Sequence, residues 1–247
     1  MKQNKYDDDA FFQKYSRMDR SVKGLSGAGE WQTLQSMLPD FHGKRVLDLG
    51  CGFGWHCQYA MTKGAMSCVG VDISAKMLAE ARRKNHYGDA VRYLELAIED
   101  IDFAPESFDC VLSSLAFHYL ASFQDIAAKI HTLLTPGGDF VFSVEHPIFT
   151  AYGSQDWIYT ETGEIAHFPV DHYFEEGPRQ AIFLGETMTK YHRTLTTYLD
   201  TLFTLGFTLS AVKEPQPSPE QLAELPDMRH ELRRPMMLLV AAKKPLA

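Results

Sequence analysis

No stretch of the 247-residue sequence approaches the roughly 18 apolar residues that a membrane span requires. The opening Met1-Lys-Gln-Asn-Lys-Tyr-Asp-Asp-Asp9 sets no apolar core behind its charges, so a signal peptide is not expected and the chain reads as cytoplasmic, with no membrane partner. Runs of Lys and Arg are also missing. Lys and Arg total 24 against 32 Asp and Glu, a formal charge of −8 that repels phosphate backbones, so a nucleic-acid partner is not expected. Cysteine is scarce. The four, Cys51, Cys57, Cys68 and Cys110, fall in segments that read as strands or strand ends of one core. Their spacings match neither a zinc site nor a disulfide framework, so free structural thiols and no metal are expected. His167 and His172 with Asp171 have loose metal-like spacing but lack a third partner. There is no internal repeat. A composition of 45% hydrophobic and 23% charged residues excludes a disordered chain, a coiled coil and a collagen-like array.

What is present, from about residue 44 onward, is an alternation of short apolar runs with helical patterns. Arg45–Leu49, Ser67–Asp72, Ala90–Leu96, Phe108–Ser113 and Asp139–Val144 read as five strands. Helices are expected over Trp55–Lys63 with a stop at Gly64, from the cap Ser74 to about Asn85, and from Ser122, with Asp125 three residues on, to just before Pro136-Gly137-Gly138. Such alternation builds βαβ units and a parallel sheet. A helix over Thr194–Leu205 stopped by Gly206, strands over Phe207–Val212 and Met236–Ala242, and a helix capped by Ser218 with Pro219 and Gln221 complete the pattern. Residues 150–190 interrupt it, with Tyr152, Trp157, Tyr159, Phe168, Tyr173, Phe174 and Phe183 and a hairpin around Thr162-Gly163. The first 40 residues read as two amphipathic helices, with Phe11, Phe12, Tyr15 and Met18 on the first.

The expected fold is α/β: a Rossmann-like, seven-stranded, mostly parallel sheet with helices on both faces. One domain is expected over 1–247, with a helical cover over 1–40, a core over 41–149 and 191–247, and an aromatic insertion over 150–190. In such sheets ligands bind at the carboxyl ends of the strands, where strand order reverses. The first strand runs into Asp48-Leu-Gly50-Cys-Gly52-Phe-Gly54, whose alternate glycines allow a ligand to lie against bare backbone. Asp72 ends the second strand and suits a hold on the two hydroxyls of a ribose. A dinucleotide fingerprint places its third glycine at 55, which is Trp55 here, and no Tyr-x-x-x-Lys pair is seen, so a nicotinamide dehydrogenase is a distant alternative.

The alternate-glycine loop resembles the nucleoside-binding loop of class I S-adenosylmethionine-dependent methyltransferases. The resemblance covers most of the chain, through Val46–Gly54, Val69–Ser74 with Met77-Leu78, Ile98–Phe103, Phe108–His118 and Leu133–Gly138. It implies S-adenosylmethionine as cofactor, S-adenosylhomocysteine as product, and a transferred methyl group. It also implies that Gly50, Cys51 and Gly52 pass under the methionine part and that Asp72 binds the ribose. Ile73 and Ile98 then sandwich the adenine, with Met77 and Glu99 nearby, while Ser113 and Leu115 line the place where the methyl points. Asp48 is expected to orient the loop near the methionine amino group. Tyr15 and Arg20 are expected to close over the cofactor, Arg20 meeting its carboxylate. Ala97 stands where many relatives carry an acid, and the fourth strand ends in Ser-Ser-Leu-Ala rather than the Asn/Asp-Pro-Pro-Tyr of nucleic-acid and protein methyltransferases. That pattern weighs towards a small-molecule acceptor. Phe142–Thr150 and Lys190–Leu195 look like signatures of a bacterial subfamily and point to no acceptor.

His118, just past the fourth strand, and His146, after the fifth, are the candidate general bases. His192 and Arg193 either meet an acidic acceptor or, in the favoured reading, lie at the surface with Arg193 paired to a carboxylate. The expected function is in-line methyl transfer to a small molecule, and the alternative is a non-catalytic sensor or scaffold that keeps the cofactor. Monomer and homodimer are both compatible with the sequence.

Overall fold

Period-two alternation along the strands decides which residues face which helices. In β1 (Arg45–Leu49), Leu47 and Leu49 join one apolar cluster and Val46 the opposite one. Val111 of β4 (Phe108–Ser114) and Phe140, Phe142 and Val144 of β5 (Leu134–Glu145) share the first face, while Cys110, Leu112 and Val141 face the other way. Both faces are therefore apolar and must be covered. Helices α6 (Phe123–Leu133) and α8 (Leu195–Thr204) cover one, through Phe123, Ile126, Ile130, Tyr198 and Leu202. Helices α3 (Trp31–Met37), α4 (Trp55–Thr62) and α5 (Ala75–Lys84) cover the other, through Leu34, Cys57, Ala60, Leu78 and Ala81.

The computed structural model describes residues 2–246. With β2 (Ser67–Asp72), β3 (Val91–Glu95), β10 (Thr208–Lys213) and β11 (Met237–Lys243), the seven-stranded sheet has the order β10-β11-β5-β4-β1-β2-β3. Strands β1 to β5 pair in parallel and β11 runs against both of its neighbours. Strand order reverses between β1 and β4, which opens a crevice at their carboxyl ends. The expected caps are in place. Ser74 accepts from Met77 N–H at 3.1 Å, Ser122 from Asp125 N–H at 3.1 Å, and Ser218 and Gln221 close a capping box on α9 (Pro219–Glu224).

Three expectations are corrected. The N-terminal segment forms short pieces, α1 (Asp9–Ser16), α2 (Asp19–Val22) and α3, rather than two helices. Gly24, at φ +66°, and Gly27, where a Cβ would fall 2.3 Å from the Asp19 carbonyl oxygen, break the helical run. β5 starts at Leu134, so the Pro136-Gly137-Gly138 turn lies within the strand, beside a register shift between Phe108 and Cys110. The insertion holds α7 (Pro147–Thr150), the expected hairpin of β6 (Ile158–Tyr159) and β7 (Ile165–His167), and an unexpected second hairpin of β8 (Gly177–Phe183) and β9 (Glu186–His192). Its two-residue turn places Leu184 at φ +53° and Gly185 at φ +81°, the geometry that matches strand twist. The boundary expected at residue 191 therefore falls inside β9.

Cys57 lies on α4, as the helix expected over Trp55–Lys63 requires, and not on a strand or strand end as the cysteine pattern suggested. All four cysteines are buried and free. Cys51 and Cys57 pack against Gly70 of β2, where an added Cβ would meet Tyr93 Cδ1 at 2.8 Å, Cys51 Sγ at 2.9 Å and Cys57 Sγ at 3.0 Å. Gly70→Ala is expected to destabilise the protein by about 1–3 kcal/mol, the usual cost of overpacking. Urea unfolding checks this, and an unchanged midpoint would show that the contact relaxes freely.

Candidate active site

One cavity of about 690 Å³ occupies the crevice, within the ~300–1,000 Å³ range of small-ligand sites. Gly50 and Gly52, just beyond β1, form its floor, and Asp72 lines the wall next to them. Gly50 has φ +76°, and a Cβ there would fall 2.5 Å from Ala116 Cβ. Gly52 has φ +52° and a Cβ there would meet no atom within 4 Å, so bare backbone faces open space. Asp72 Oδ2 accepts from Gly52 N–H at 2.9 Å and Oδ1 from Ser74 N–H at 2.9 Å. Each carboxylate oxygen keeps a further lone pair free to accept from a ligand hydroxyl. Burial pushes the Asp72 carboxyl up, and the N–H groups of Ser74 and Gly52 oppose that shift.

Ile73, Met77, Ile98, Glu99 and Leu115, all expected at the site, line the same cavity, as do Tyr15, Arg20 and His118. Arg20 makes an ion pair with Glu30, which is buried at 2% exposure and was missed by sequence reasoning. Glu30 Oε2 and Trp55 Nε1 are buried without a partner among the described residues, beside a smaller cleft that shares Arg20, Gly50, Gly52 and Ser114 with the main cavity and reaches Cys51. Tyr6 and Tyr119, also missed, line the cavity with their hydroxyl oxygens 3.3 Å apart. The alternate-glycine floor, a carboxylate with spare lone pairs, paired isoleucines and unpartnered polar groups beside Arg20 fit an adenosyl group with an amino-acid tail.

Several expected positions are corrected. Ser113 turns from the cavity and donates to the Leu49 carbonyl at 2.7 Å, while its neighbour Ser114 lines the cavity. Asp48 lies beneath the loop at 1% exposure, accepting from Cys57 Sγ at 3.3 Å; burial and Cys57 push its carboxyl well above the usual range. His146 does not line the cavity. It caps α7, with Nδ1 accepting from Ile148 N–H at 3.0 Å and Nε2 2.8 Å from a Glu214 carboxylate oxygen. The surface reading of His192 and Arg193 fails, because both are buried. His192 Nδ1 lies 2.7 Å from Thr150 Oγ1, and Arg193 donates to the Phe117 and Leu120 carbonyls. Of the seven aromatics named in the insertion, Phe183 lines the cavity, while Trp157 and Phe168 flank the Arg234 guanidinium at 5.0 and 4.8 Å.

His118 is 2% exposed, with Nδ1 accepting weakly from Glu145 N–H at 3.4 Å and Nε2 3.9 Å from the Glu145 carboxylate. Its lone pair is therefore occupied by backbone, which is poor geometry for a base. Burial pushes His118 down to about 4, against the pull of Glu145, and burial likewise pushes His56 down to about 4. A folded value below the unfolded one, near 6.5, stabilises the fold fully above about pH 6.5 and loses that contribution as pH falls towards 4. For His118 the linkage is worth up to about 3 kcal/mol. The difference in unfolding free energy between the native protein and His118→Gln is expected to shrink by that order over this window. Ring-proton NMR with a His118 midpoint near 6.5 would contradict it.

Comparison with known proteins now fixes the family. A family model described as a methyltransferase domain matches residues 47–142. The structure resembles an S-adenosylmethionine-dependent methyltransferase from Mesorhizobium loti, at 41% identity and TM-score 0.83, covering 89% of this chain and all of that one. It also resembles a Listeria monocytogenes protein assigned to the same family, at 56% identity and TM-score 0.85, covering 90% of this chain and 99% of that one. The chain belongs to the class I S-adenosylmethionine-dependent methyltransferases. An uncharacterised Haemophilus influenzae protein is similar to this methyltransferase over almost its whole length, at 34% identity, 97% of this chain and 96% of that one. The methyltransferase uses S-adenosylmethionine and releases S-adenosylhomocysteine. Among its described residues no helix is long and apolar enough to cross a membrane, and no group of three or more His, Cys, Asp or Glu is placed to hold a metal ion.

Proposed function

We propose that this methyltransferase moves a methyl group onto a small molecule held in the same cavity as the cofactor. The observation that carries the reading is the continuity of that cavity. It runs from Gly50, Gly52 and Asp72 to a second half walled by Glu145, Lys190, Met188 and Met237. A sensor needs the first half alone, and the second half has the mixed polar and apolar lining of an acceptor pocket.

In this reading Asp72 accepts from the ribose hydroxyls and the Gly50–Gly52 backbone passes under the methionine portion. Ile73 and Ile98 take the adenine between them, with Met77 and Glu99 at its border. Arg20, Glu30 and Tyr15 meet the amino-acid tail, Glu30 supplying the oxygen that now lacks a partner. Bound S-adenosylmethionine supplies a methyl group on a sulfonium, an already good leaving group. The chain's task is then orientation and exclusion of water. Leu115, held at φ +54°, Ser114 and Tyr119 border the passage between the two halves and keep the acceptor on the line of displacement. Alignment of this kind supplies on the order of 7–11 kcal/mol of barrier lowering.

A screen of small-molecule acceptors, read by S-adenosylhomocysteine release, tests the function. Turnover above the acceptor-free blank is expected for at least one polar aromatic or aliphatic compound. Tight cofactor binding with no turnover across the screen would favour the sensor.

A further inference from the structure

Phe142–Thr150 and Lys190–Leu195, the two stretches without a role in cofactor binding, meet at the second half of the cavity. Glu145 ends β5 and Lys190 lies on β9. Lys190 Nζ donates to Glu145 Oε1 at 2.5 Å and to Gln155 Oε1 at 2.7 Å, and Gln155 Nε2 donates to Glu145 Oε2 at 2.5 Å. Gln155 closes this ring from φ +60°, a conformation that is strained for a non-glycine residue. The rest of the two stretches supports the pair. Thr150 meets His192, whose Nε2 lies 2.9 Å from the Tyr173 carbonyl, and Arg193 ties down the turn that carries His118. Lys190 is only 3% exposed, yet it and Glu145 both line the cavity.

We propose that the Glu145–Lys190 pair recognises the methyl acceptor and selects a neutral aromatic amine that carries a neighbouring hydrogen-bond acceptor. The inference rests on the cavity being a methyltransferase site. An ammonium has three donors and Lys190 spends two, while each Glu145 oxygen keeps a second lone pair. The pair thus offers a ligand one N–H and a carboxylate acceptor side by side. Its charges already cancel, so a cationic acceptor would sit unpaired against Lys190 and an anionic one against Glu145, beside a largely buried ion pair. Aliphatic amines are protonated near neutral pH and are disfavoured for that reason. Phe183, Met188, Met236 and Met237 form the apolar part of this half, and methionine sulfurs favour aromatic rings.

The chemistry agrees. Burial pushes the Glu145 carboxyl up, while His118, the Lys190 charge and the hydrogen bonds from Lys190 and Gln155 pull it down; those two hydrogen bonds favour the ionised form whatever the state of His118. Such a carboxylate is too weak a base to ionise an alcohol before attack. An amine needs no prior ionisation. Its lone pair forms the N–C bond as the C–S bond breaks, sulfur keeps that electron pair, and the positive charge passes to nitrogen. The acidified N–H proton then moves to Glu145 and on to water.

Calorimetry on the protein loaded with S-adenosylhomocysteine tests this with three probes of one shape: neutral 2-aminobenzamide, anionic 2-aminobenzoate and cationic 2-aminobenzylamine. The amide is expected to bind and the two ions to bind at least about tenfold more weakly. In the double variant Glu145→Gln with Lys190→Gln, which keeps the site neutral, amide affinity is expected to fall about 10- to 100-fold, as for lost hydrogen bonds to charged groups. Affinity for S-adenosylhomocysteine is expected to stay within about twofold, because the pair lies outside the proposed cofactor half. No amide binding at millimolar concentration, tighter binding of either ion, or unchanged amide affinity in the double variant overturns the inference. Failure of the native protein to bind S-adenosylhomocysteine would instead overturn the cofactor reading beneath it.

Discussion

Replacing Asp72 with alanine is expected to weaken S-adenosylhomocysteine binding by at least about 100-fold. Two hydroxyls of one ribose would each donate to a carboxylate oxygen, and a hydrogen bond to a charged group contributes about 1.5–3 kcal/mol. Losing both costs roughly 3–6 kcal/mol, which at 1.4 kcal/mol per decade is a factor of about 100 or more. The same carboxylate ties Gly52 N–H and Ser74 N–H, at 2.9 Å each, so its loss also loosens the loop and the start of α5. Asp72→Asn retains an oxygen and is expected to fall between the native protein and the alanine variant. Calorimetric titration of the three proteins reads the effect, with circular dichroism showing that each is folded. Equal affinities across the series would remove Asp72 from the site.

Gly52→Val is expected to abolish measurable cofactor binding while leaving a folded protein. The backbone at φ +52° costs a side chain about 1–2 kcal/mol, a loss a typical domain survives. A Cβ there meets no protein atom within 4 Å, and the side chain it carries projects where the ligand is proposed to lie. Gly50→Ala behaves differently, because its Cβ would fall 2.5 Å from Ala116 Cβ and strain the apo fold itself. Thermal melting with and without S-adenosylhomocysteine separates the two. Gly52→Val should melt close to the native protein and show no ligand-induced rise, whereas Gly50→Ala should melt lower even without ligand. A full ligand-induced rise in Gly52→Val would place the nucleoside elsewhere.

Features that a short window determines were legible in the sequence. The strand over Arg45–Leu49, the caps Ser74, Ser122 and Ser218 and the turn at Thr162-Gly163 depend on neighbours within a few residues. The half of the cavity lined by Gly50, Gly52 and Asp72, where we propose the cofactor binds, is equally local, since a glycine loop and a strand-ending carboxylate adjoin in any parallel sheet of this order. The other half depends on contacts between distant segments. Glu145 and Lys190 are 45 residues apart, and what joins them is a hairpin whose Leu184-Gly185 turn was not read. Side-chain direction at strand ends was the other loss. One residue of register decides that Ser114 rather than Ser113 meets the cavity, and that His146 caps α7 instead of facing the site. Arg193, expected at the surface, is buried because the turn at Phe117–Leu120 offers it carbonyl oxygens to replace water.

The most direct measurement is a crystal structure of the protein grown with S-adenosylhomocysteine. Density is expected for the nucleoside over the loop from Gly50 to Gly54, with both ribose hydroxyls on Asp72, the adenine between Ile73 and Ile98, and the sulfur aimed at the Glu145–Lys190 half of the cavity. A ligand bound away from that loop, or a saturated crystal with no ligand on Asp72, would contradict the account.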